Sequence, residues 1–250
     1  MKHYLFILFY LFCNVLIYVF HGSLWVYLFC FLLFSSVVIW GSFDITLGYF
    51  VNSIIRKRTK IKEVALTFDD GPTEFTPKFL DLLKENQIKA TFFCIGKQVE
   101  TYPEIFKRII AEGHTIGNHT FSHSDNTGFL SASKMAEEIQ KCDEILFKTG
   151  NIKTDLYRPP FGVTNPNIAR AIKRTHKVSI GWNVRSLDTV IQDEKRIYRN
   201  VVRNIKKGSI ILLHDTSEKT YNVLKDLLLF LKDKSYSTFT VDPINDKKTK

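Results

Sequence analysis

Two apolar runs open the chain. Tyr4 to Phe20 is interrupted only by Asn14, and Leu24 to Trp40 only by Ser35 and Ser36. Each run is about as long as the shortest stretch that spans a bilayer, roughly 17 residues. Neither leaves a polar face, which argues against a buried helix pair of a soluble protein. His21, Gly22 and Ser23 separate the runs and suit a tight turn. The pattern predicts a transmembrane helical hairpin over 1–40, followed by a connector over 41–61. A signal peptide cleaved after the first run is the alternative. No small-residue cleavage pattern lies near His21, and the second run follows at once.

Beyond residue 61 the pattern changes. Short β-branched and aromatic runs alternate with longer stretches of helical period. Strands are predicted at Glu63–Phe68, Ala90–Ile95, His114–Gly117, Leu156–Arg158, Lys177–Trp182, Ser209–Leu213 and Ser237–Val241. Helices are predicted between them at Thr76–Asn86, Val99–Glu112, Ala132–Lys148, Asn165–Arg174, Glu194–Lys206 and Glu218–Asp233. Phe79, Leu82 and Leu83 mark the 3.6-residue period in the first helix, and Ile105, Phe106, Ile109 and Ile110 in the second. Pro77 suits a first helical turn, and Gly113 a helix stop. Repeated strand–helix units imply a parallel sheet with helices outside it. The fold class is therefore α/β, a distorted, incomplete (β/α) barrel of about seven parallel strands over residues 62–242. An open sheet shares the pattern, and both architectures gather function at the C-terminal ends of strands. Residues 243–250 form a basic tail with Lys247, Lys248 and Lys250.

Composition sharpens this division. The chain carries a net charge of +10, yet residues 1–55 hold one basic residue, Lys2, and one acidic residue, Asp44. The excess charge lies wholly in the remainder. A hydrophobic content of 45% excludes intrinsic disorder. Cys13, Cys30, Cys94 and Cys142 have no CxxC spacing and read as buried small hydrophobes.

Polar clusters recur at the predicted strand ends. Thr67-Phe68-Asp69-Asp70-Gly71-Pro72 places two carboxylates side by side, costly unless a cation is near. Asp-Gly-Pro is equally ordinary turn chemistry. In Asn118-His119-Thr120-Phe121-Ser122-His123 the histidines are four apart, so one helical turn would aim both at a common point. With one aspartate they would make a metal set with open positions, the arrangement of catalytic rather than structural sites. Arg158-Pro159-Pro160-Phe161-Gly162 offers a rigid N–H at Phe161, suited to an oxyanion, although a plain loop reads the same way. Asp188 follows the fifth strand, and His214 and Asp215 follow Ile210-Ile211-Leu212-Leu213. A histidine there can exchange protons near neutrality. His3, His21, His114 and His176 have no such partners.

Taken together, TFDDG, HTFSH, RPPFG, the Asp188 loop and LLHD resemble the polysaccharide deacetylases of carbohydrate esterase family 4, the NodB-homology domain. The resemblance implies a divalent metal, usually zinc and sometimes cobalt, held by Asp70, His119 and His123. It implies hydrolysis of N-acetyl groups on amino sugars. Asp69 would be the general base, oriented by Arg158, and His214 the general acid, oriented by Asp188. Phe161 would supply the oxyanion N–H, and Leu212 would help form the pocket for the acetyl methyl. One motif departs from the family: the usual Asp-x-x-Asp-Trp is here Arg185-Ser186-Leu187-Asp188-Thr189. The partner of His214 is kept, whereas the substrate groove changes wall and charge.

The expected function is metal-dependent deacetylation of a cell-envelope polysaccharide such as peptidoglycan or a chitin-like glycan. Deacylation or deformylation of a lipid-linked sugar is the alternative, and a non-catalytic glycan-binding module is disfavoured by the complete base, ligand and acid set. The expected partners are an N-acetylated glycan and membrane lipid, not nucleic acid, since no aromatic–basic recognition motif accompanies the lysines. Nothing in the sequence specifies an oligomeric state. The catalytic domain is expected to be membrane-anchored and extracytoplasmic, although Arg56, Lys57, Arg58 and Lys60 oppose that orientation under the positive-inside rule.

Overall fold

A computed structural model describes residues 2–241; the basic tail expected at 243–250 lies outside them. α1 (Lys2–Val19) and α2 (Leu24–Phe43) form the N-terminal hairpin. Phe34 stacks on Phe6 and Tyr10 between them, while Phe9, Phe20, Trp25 and Phe29 point outward and are exposed. Both helices are long and apolar enough to cross a membrane.

The barrel strands are β1 (Glu63–Asp69), β2 (Thr91–Cys94), β3 (Thr115–Asn118), β4 (Leu156–Tyr157), β5 (Val178–Ser179), β6 (Val184–Arg185), β7 (Ser209–His214) and β8 (Ser237–Thr238). Every ladder is parallel, in the order β5-β4-β3-β2-β1-β7-β6. β8 pairs with Glu63 and Val64, ahead of the point where β2 joins β1. The strands are interleaved with α3 (Thr76–Glu85), α4 (Gly96–Thr101), α5 (Pro103–Ala111), α6 (Ala132–Gly150), α7 (Pro166–Arg174), α8 (Glu194–Asn204) and α9 (Glu218–Asp233).

The two-residue period of the strands sorts their side chains. Val64, Leu66 and Phe68 of β1, with Ile211 and Leu213 of β7, pack against Phe79, Phe106, Leu224 and Leu227 of the helices. Ala65, Phe93, Ile210 and Leu212 face the other way and form the barrel interior with Leu156, Ile180 and Trp182. Continuing that inner row by two residues brings Asp69 and His214 to the same rim, where β1 and β7 pair them directly. The hydrophobic pattern of two strands therefore delivers two titratable groups to one end of the barrel.

The structure departs from the predicted elements in places with clear causes. The helix expected over Val99–Glu112 is two helices, because Pro103 has no N–H to continue the first and starts the second. β6 was not predicted; two residues carry no readable period. The expected connector is packed against the barrel. Ile54 bridges Ile180 and Arg56 bridges Ser209, so this segment ties the chain just beyond β5 to the start of β7, ahead of the point where β6 joins it. Gly208, at φ +76°, lets the Lys57 carbonyl approach where any Cβ would collide. Ile45 is buried in the inner cluster and Val51 against α6 and α7.

His114, expected to be unremarkable, has a structural place. Its Nδ1 accepts from the Ala90 N–H at 3.1 Å, and its ring meets Phe92 edge-on. Burial, reinforced by the charge of Lys89 and opposed by Glu112, lowers its pKa to about 4. Above pH 6.5 both folded and unfolded states hold it neutral. As pH falls the unfolded chain takes up the proton first, so stability is lost progressively between pH 6.5 and about 4. The full loss is on the order of 3 kcal/mol. Urea midpoints at pH 7 and pH 4.5 should therefore differ more for the unmutated chain than for His114→Gln; equal differences would contradict this.

Candidate active site

The strand ends bend sharply where they meet the rim. Asp70, Thr120, His123, Phe161 and Leu187 all have left-handed backbones, with φ between 47° and 73°. Each such non-glycine residue costs on the order of 1 kcal/mol, and such conformations concentrate where a side chain must be aimed. The helical turn expected to align His119 and His123 is absent. A loop turned by Thr120 does so instead, its N–H held by the Asn118 carbonyl side chain at 2.9 Å.

Asp70, His119 and His123 converge. The Nε2 atoms of both histidines lie 3.4 Å from Asp70 Oδ1, and one ligand atom from each residue falls within 4.8 Å of the others. His119 Nδ1–H donates to the Arg158 carbonyl at 2.7 Å, which leaves the Nε2 lone pair facing Asp70. Burial raises the Asp70 pKa, but His119, His214 and His123 outweigh it whenever they carry protons and hold the carboxyl well below its usual range, so Asp70 is ionised at pH 7. His123 is lowered to about 4 by burial and by His119, against the pull of Asp70, so it is neutral at pH 7. Asp70 Oδ1 is buried with no hydrogen-bond partner among the described residues. An orphaned carboxylate oxygen between two imidazole lone pairs fits a divalent cation, and the donor set suits zinc or a related first-row ion.

Asp69 sits beside this group with a different partner. Its Oδ1 accepts from Arg158 Nη1 at 2.7 Å, and Oδ2 lies 3.8 Å from His119 Nε2. Arg158 is fully buried. It also donates to Thr67 Oγ1 and to the carbonyls of Ile180 and Gly181, and its guanidinium lies 4.0 Å from the Phe93 ring centre. A guanidinium held on so many sides fixes the carboxylate that it touches.

Across the cleft, His214 Nδ1–H donates to Asp188 Oδ1 at 2.7 Å, and the His214 backbone N–H donates to Oδ2 at 2.8 Å. Burial lowers the imidazolium pKa, but the hydrogen bond and charge of Asp188, aided by Asp69 and Asp70, outweigh it and raise it to about 9. The protonated ring leaves Nε2–H 3.9 Å from Asp70 Oδ2. Ser186 and Thr220 hydroxyls donate to Asp188 at 2.7 and 3.0 Å. The sequence reading missed both. Ser186 carried a signal as Ser-x-Asp; Thr220, from α9, carried none.

Asp69, Asp70, His119, His123, Phe161, Leu212 and His214 line one cavity of about 150 Å³, with Trp182, Arg185 and Thr189. Arg158 and Asp188 stand behind it. Phe161 N–H makes no hydrogen bond among the described residues. Gly162, at φ +70°, packs on Trp182, where a Cβ would strike the indole. Asp215 does not reach the cleft. Its buried carboxyl, raised to about 7 by burial against the Thr76 hydrogen bond, abuts Gly71 and supports the Asp70 turn from below.

This barrel, with carboxylates and histidines on one rim, has counterparts among known proteins. The family model for polysaccharide deacetylase matches residues 56–178. A peptidoglycan-N-acetylglucosamine deacetylase from Bacillus cereus is 42% identical over 155 residues, 62% of this chain and 56% of that protein. The peptidoglycan-N-acetylmuramic acid deacetylase PdaA from Bacillus subtilis is 34% identical over 209 residues, 79% of each chain. The chain belongs to the polysaccharide deacetylase family. The solved peptidoglycan N-acetylglucosamine deacetylase Bc1960 superposes on this deacetylase-family chain with a TM-score of 0.71 and 36% identity, covering 76% of this chain and 90% of that one. The chain spans about half the length of the first relative and most of the second. Within this deacetylase-family site, the exchanged residues Arg185 and Thr189 both face the cavity.

Proposed function

We propose that the chain hydrolyses N-acetyl groups from the amino sugars of peptidoglycan. The observation that carries this is the opposed pair across one cleft: a carboxylate held by Arg158 on one side and a protonated His214 on the other. The named activities of the relatives support the substrate class. Asp70, His119 and His123 would hold a divalent ion, which would supply Lewis acidity for the acetyl carbonyl and acidify water there. Asp69 accepts the proton of the attacking water as its oxygen bonds to the acetyl carbon. The charge that develops on the carbonyl oxygen is met by the Phe161 N–H. Leu212 receives the methyl group. As the C–N bond breaks, His214 Nε2–H donates its proton to the departing nitrogen, because an amide nitrogen leaves poorly as an anion. Acetate and a free amine result.

Asp188 acts through His214. Removing its charge lowers the imidazolium pKa from about 9, so the alkaline limb of kcat should move to lower pH in Asp188→Asn. The shift expected is at least about one unit. An unmoved limb would show that Asp188 does not tune the acid.

Two membrane-spanning helices would hold this domain at the outer membrane surface. Lys2 Nζ donates to the Leu47 carbonyl and His3 meets Tyr49, so α1 starts against the connector, while the Thr164 N–H donates to the Ser42 carbonyl, so α2 ends against the barrel loop after β4. Lys57 pairs with Glu63 at 3.0 Å and Arg56 joins β7. These charges belong to a folded domain, which crosses a membrane largely regardless of charge, and the conflict with the positive-inside rule weakens. A second cavity lined by Ser42 and Phe43 at the end of α2 favours substrates close to the membrane, and with them the lipid-linked reading. Acetate release from peptidoglycan, chitin-like oligomers and lipid-linked sugars tests the choice. Release from peptidoglycan supports the proposal, and release from the lipid-linked sugar alone would replace it.

A further inference from the structure

Arg185 ends β6 and is paired in register with Leu212, the residue assigned to the acetyl methyl. Its carbonyl accepts from Asn200 Nδ2 at 2.7 Å, and the next residue donates its N–H to the Leu212 carbonyl, so its backbone is pinned. Its side chain is exposed, with the guanidinium 5.8 Å from the centre of Trp182. It lines the catalytic cavity and also an adjoining one of about 600 Å³, whose walls include Phe43, Phe129, Phe161 and Asn165.

Arg185 forms no salt bridge among the described residues. The carboxylates of the cleft face other groups: Asp69 is held by Arg158, Asp188 by His214, and Asp70 is aimed at His119 and His123. Asp125 borders the adjoining cavity without pairing with Arg185. A guanidinium with a planar donor fork thus stands free where two cavities meet, on a fixed backbone and against an aromatic face. That arrangement matches a carboxylate, which it can grip through two parallel hydrogen bonds. Relative to the family pattern, the Asp-to-Arg exchange reverses the charge of this wall.

We infer that Arg185 is a specificity-determining residue that selects an N-acetylated hexosamine bearing an ether-linked carboxylate, the muramic acid type, over a neutral hexosamine. The inference rests on the deacetylation reading for the orientation of the sugar. The adjoining cavity takes whatever continues beyond that carboxylate.

The test uses the full-length chain in detergent with Asp69→Asn to prevent turnover. It measures binding of two glycans that differ only in a muramyl carboxylate or its carboxamide. The carboxylate form should bind at least about tenfold more tightly, the scale of one charged hydrogen-bonded contact. Arg185→Ala should bring the ratio close to one, Arg185→Lys should restore part of it, and Arg185→Glu should invert it. Equal binding of the two glycans, or an undiminished ratio in Arg185→Ala, would overturn the inference. Acetate release by the unmutated chain is scored separately. Discrimination without acetate release would refute deacetylation and uphold carboxylate selection; release without discrimination would do the reverse.

Discussion

Asp69→Asn is expected to lower kcat for acetate release by about 10³-fold while leaving KM within a few-fold. The amide is nearly isosteric with the carboxylate. Its oxygen can still accept from Arg158 Nη1, the 2.7 Å contact that orients the side chain. What it lacks is the capacity to take a proton from the attacking water. The substitution also leaves the fully buried Arg158 without its counter-charge, a destabilising change of on the order of 3 kcal/mol. Rates must therefore be referred to folded protein, measured by urea denaturation of the same preparation. Release within tenfold of the unmutated chain would remove Asp69 from the role of base.

His123→Ala should abolish activity by another route. Asp70, His119 and His123 offer the converging donor atoms, and loss of one leaves two. Ion affinity should fall by more than the roughly 100-fold that follows loss of an outer hydrogen-bond partner of a metal ligand. Metal analysis after gel filtration should find one divalent ion per unmutated chain and little in the variant. Chelation of the unmutated chain should stop acetate release, and added zinc or cobalt should restore it. The Asp188–His214 contact shares no residue with the ligand set, so folded stability should respond less than activity. A chelated chain that keeps full activity would exclude the metal role.

Much of this arrangement was legible in the sequence because strand alternation is a local property. Ala65-Thr67-Asp69 and Ile210-Leu212-His214 carry their inward row in their spacing, and the residues at each end are those a hydrolase needs. The motifs identified the residues around the cleft even where the local conformation was misread. HTFSH looked helical by spacing, but Thr120 and His123 adopt left-handed backbones that no propensity announces. Other features depend on contacts distant in the chain. Thr220 reaches Asp188 from the first turn of α9, and Ile54 and Arg56 tie the chain beyond β5 to β7 from a segment that reads as linker. The free state of Arg185 was also hidden. Its departure from the family motif was visible, but only the fold shows that Asp69 and Asp188 are held by Arg158 and His214 and that Asp125, across the adjoining cavity, does not pair with it.

The central claim is that this cleft deacetylates peptidoglycan, and the product glycan tests it most directly. Purified peptidoglycan incubated with the full-length chain, a divalent ion and detergent, then cut into disaccharide units, can be read by mass spectrometry. The expected product contains hexosamines that have lost an acetyl group and gained a free amine, in step with acetate released, formed about 10³-fold more slowly with Asp69→Asn. Fully acetylated hexosamines after incubation with folded, metal-loaded chain would contradict it.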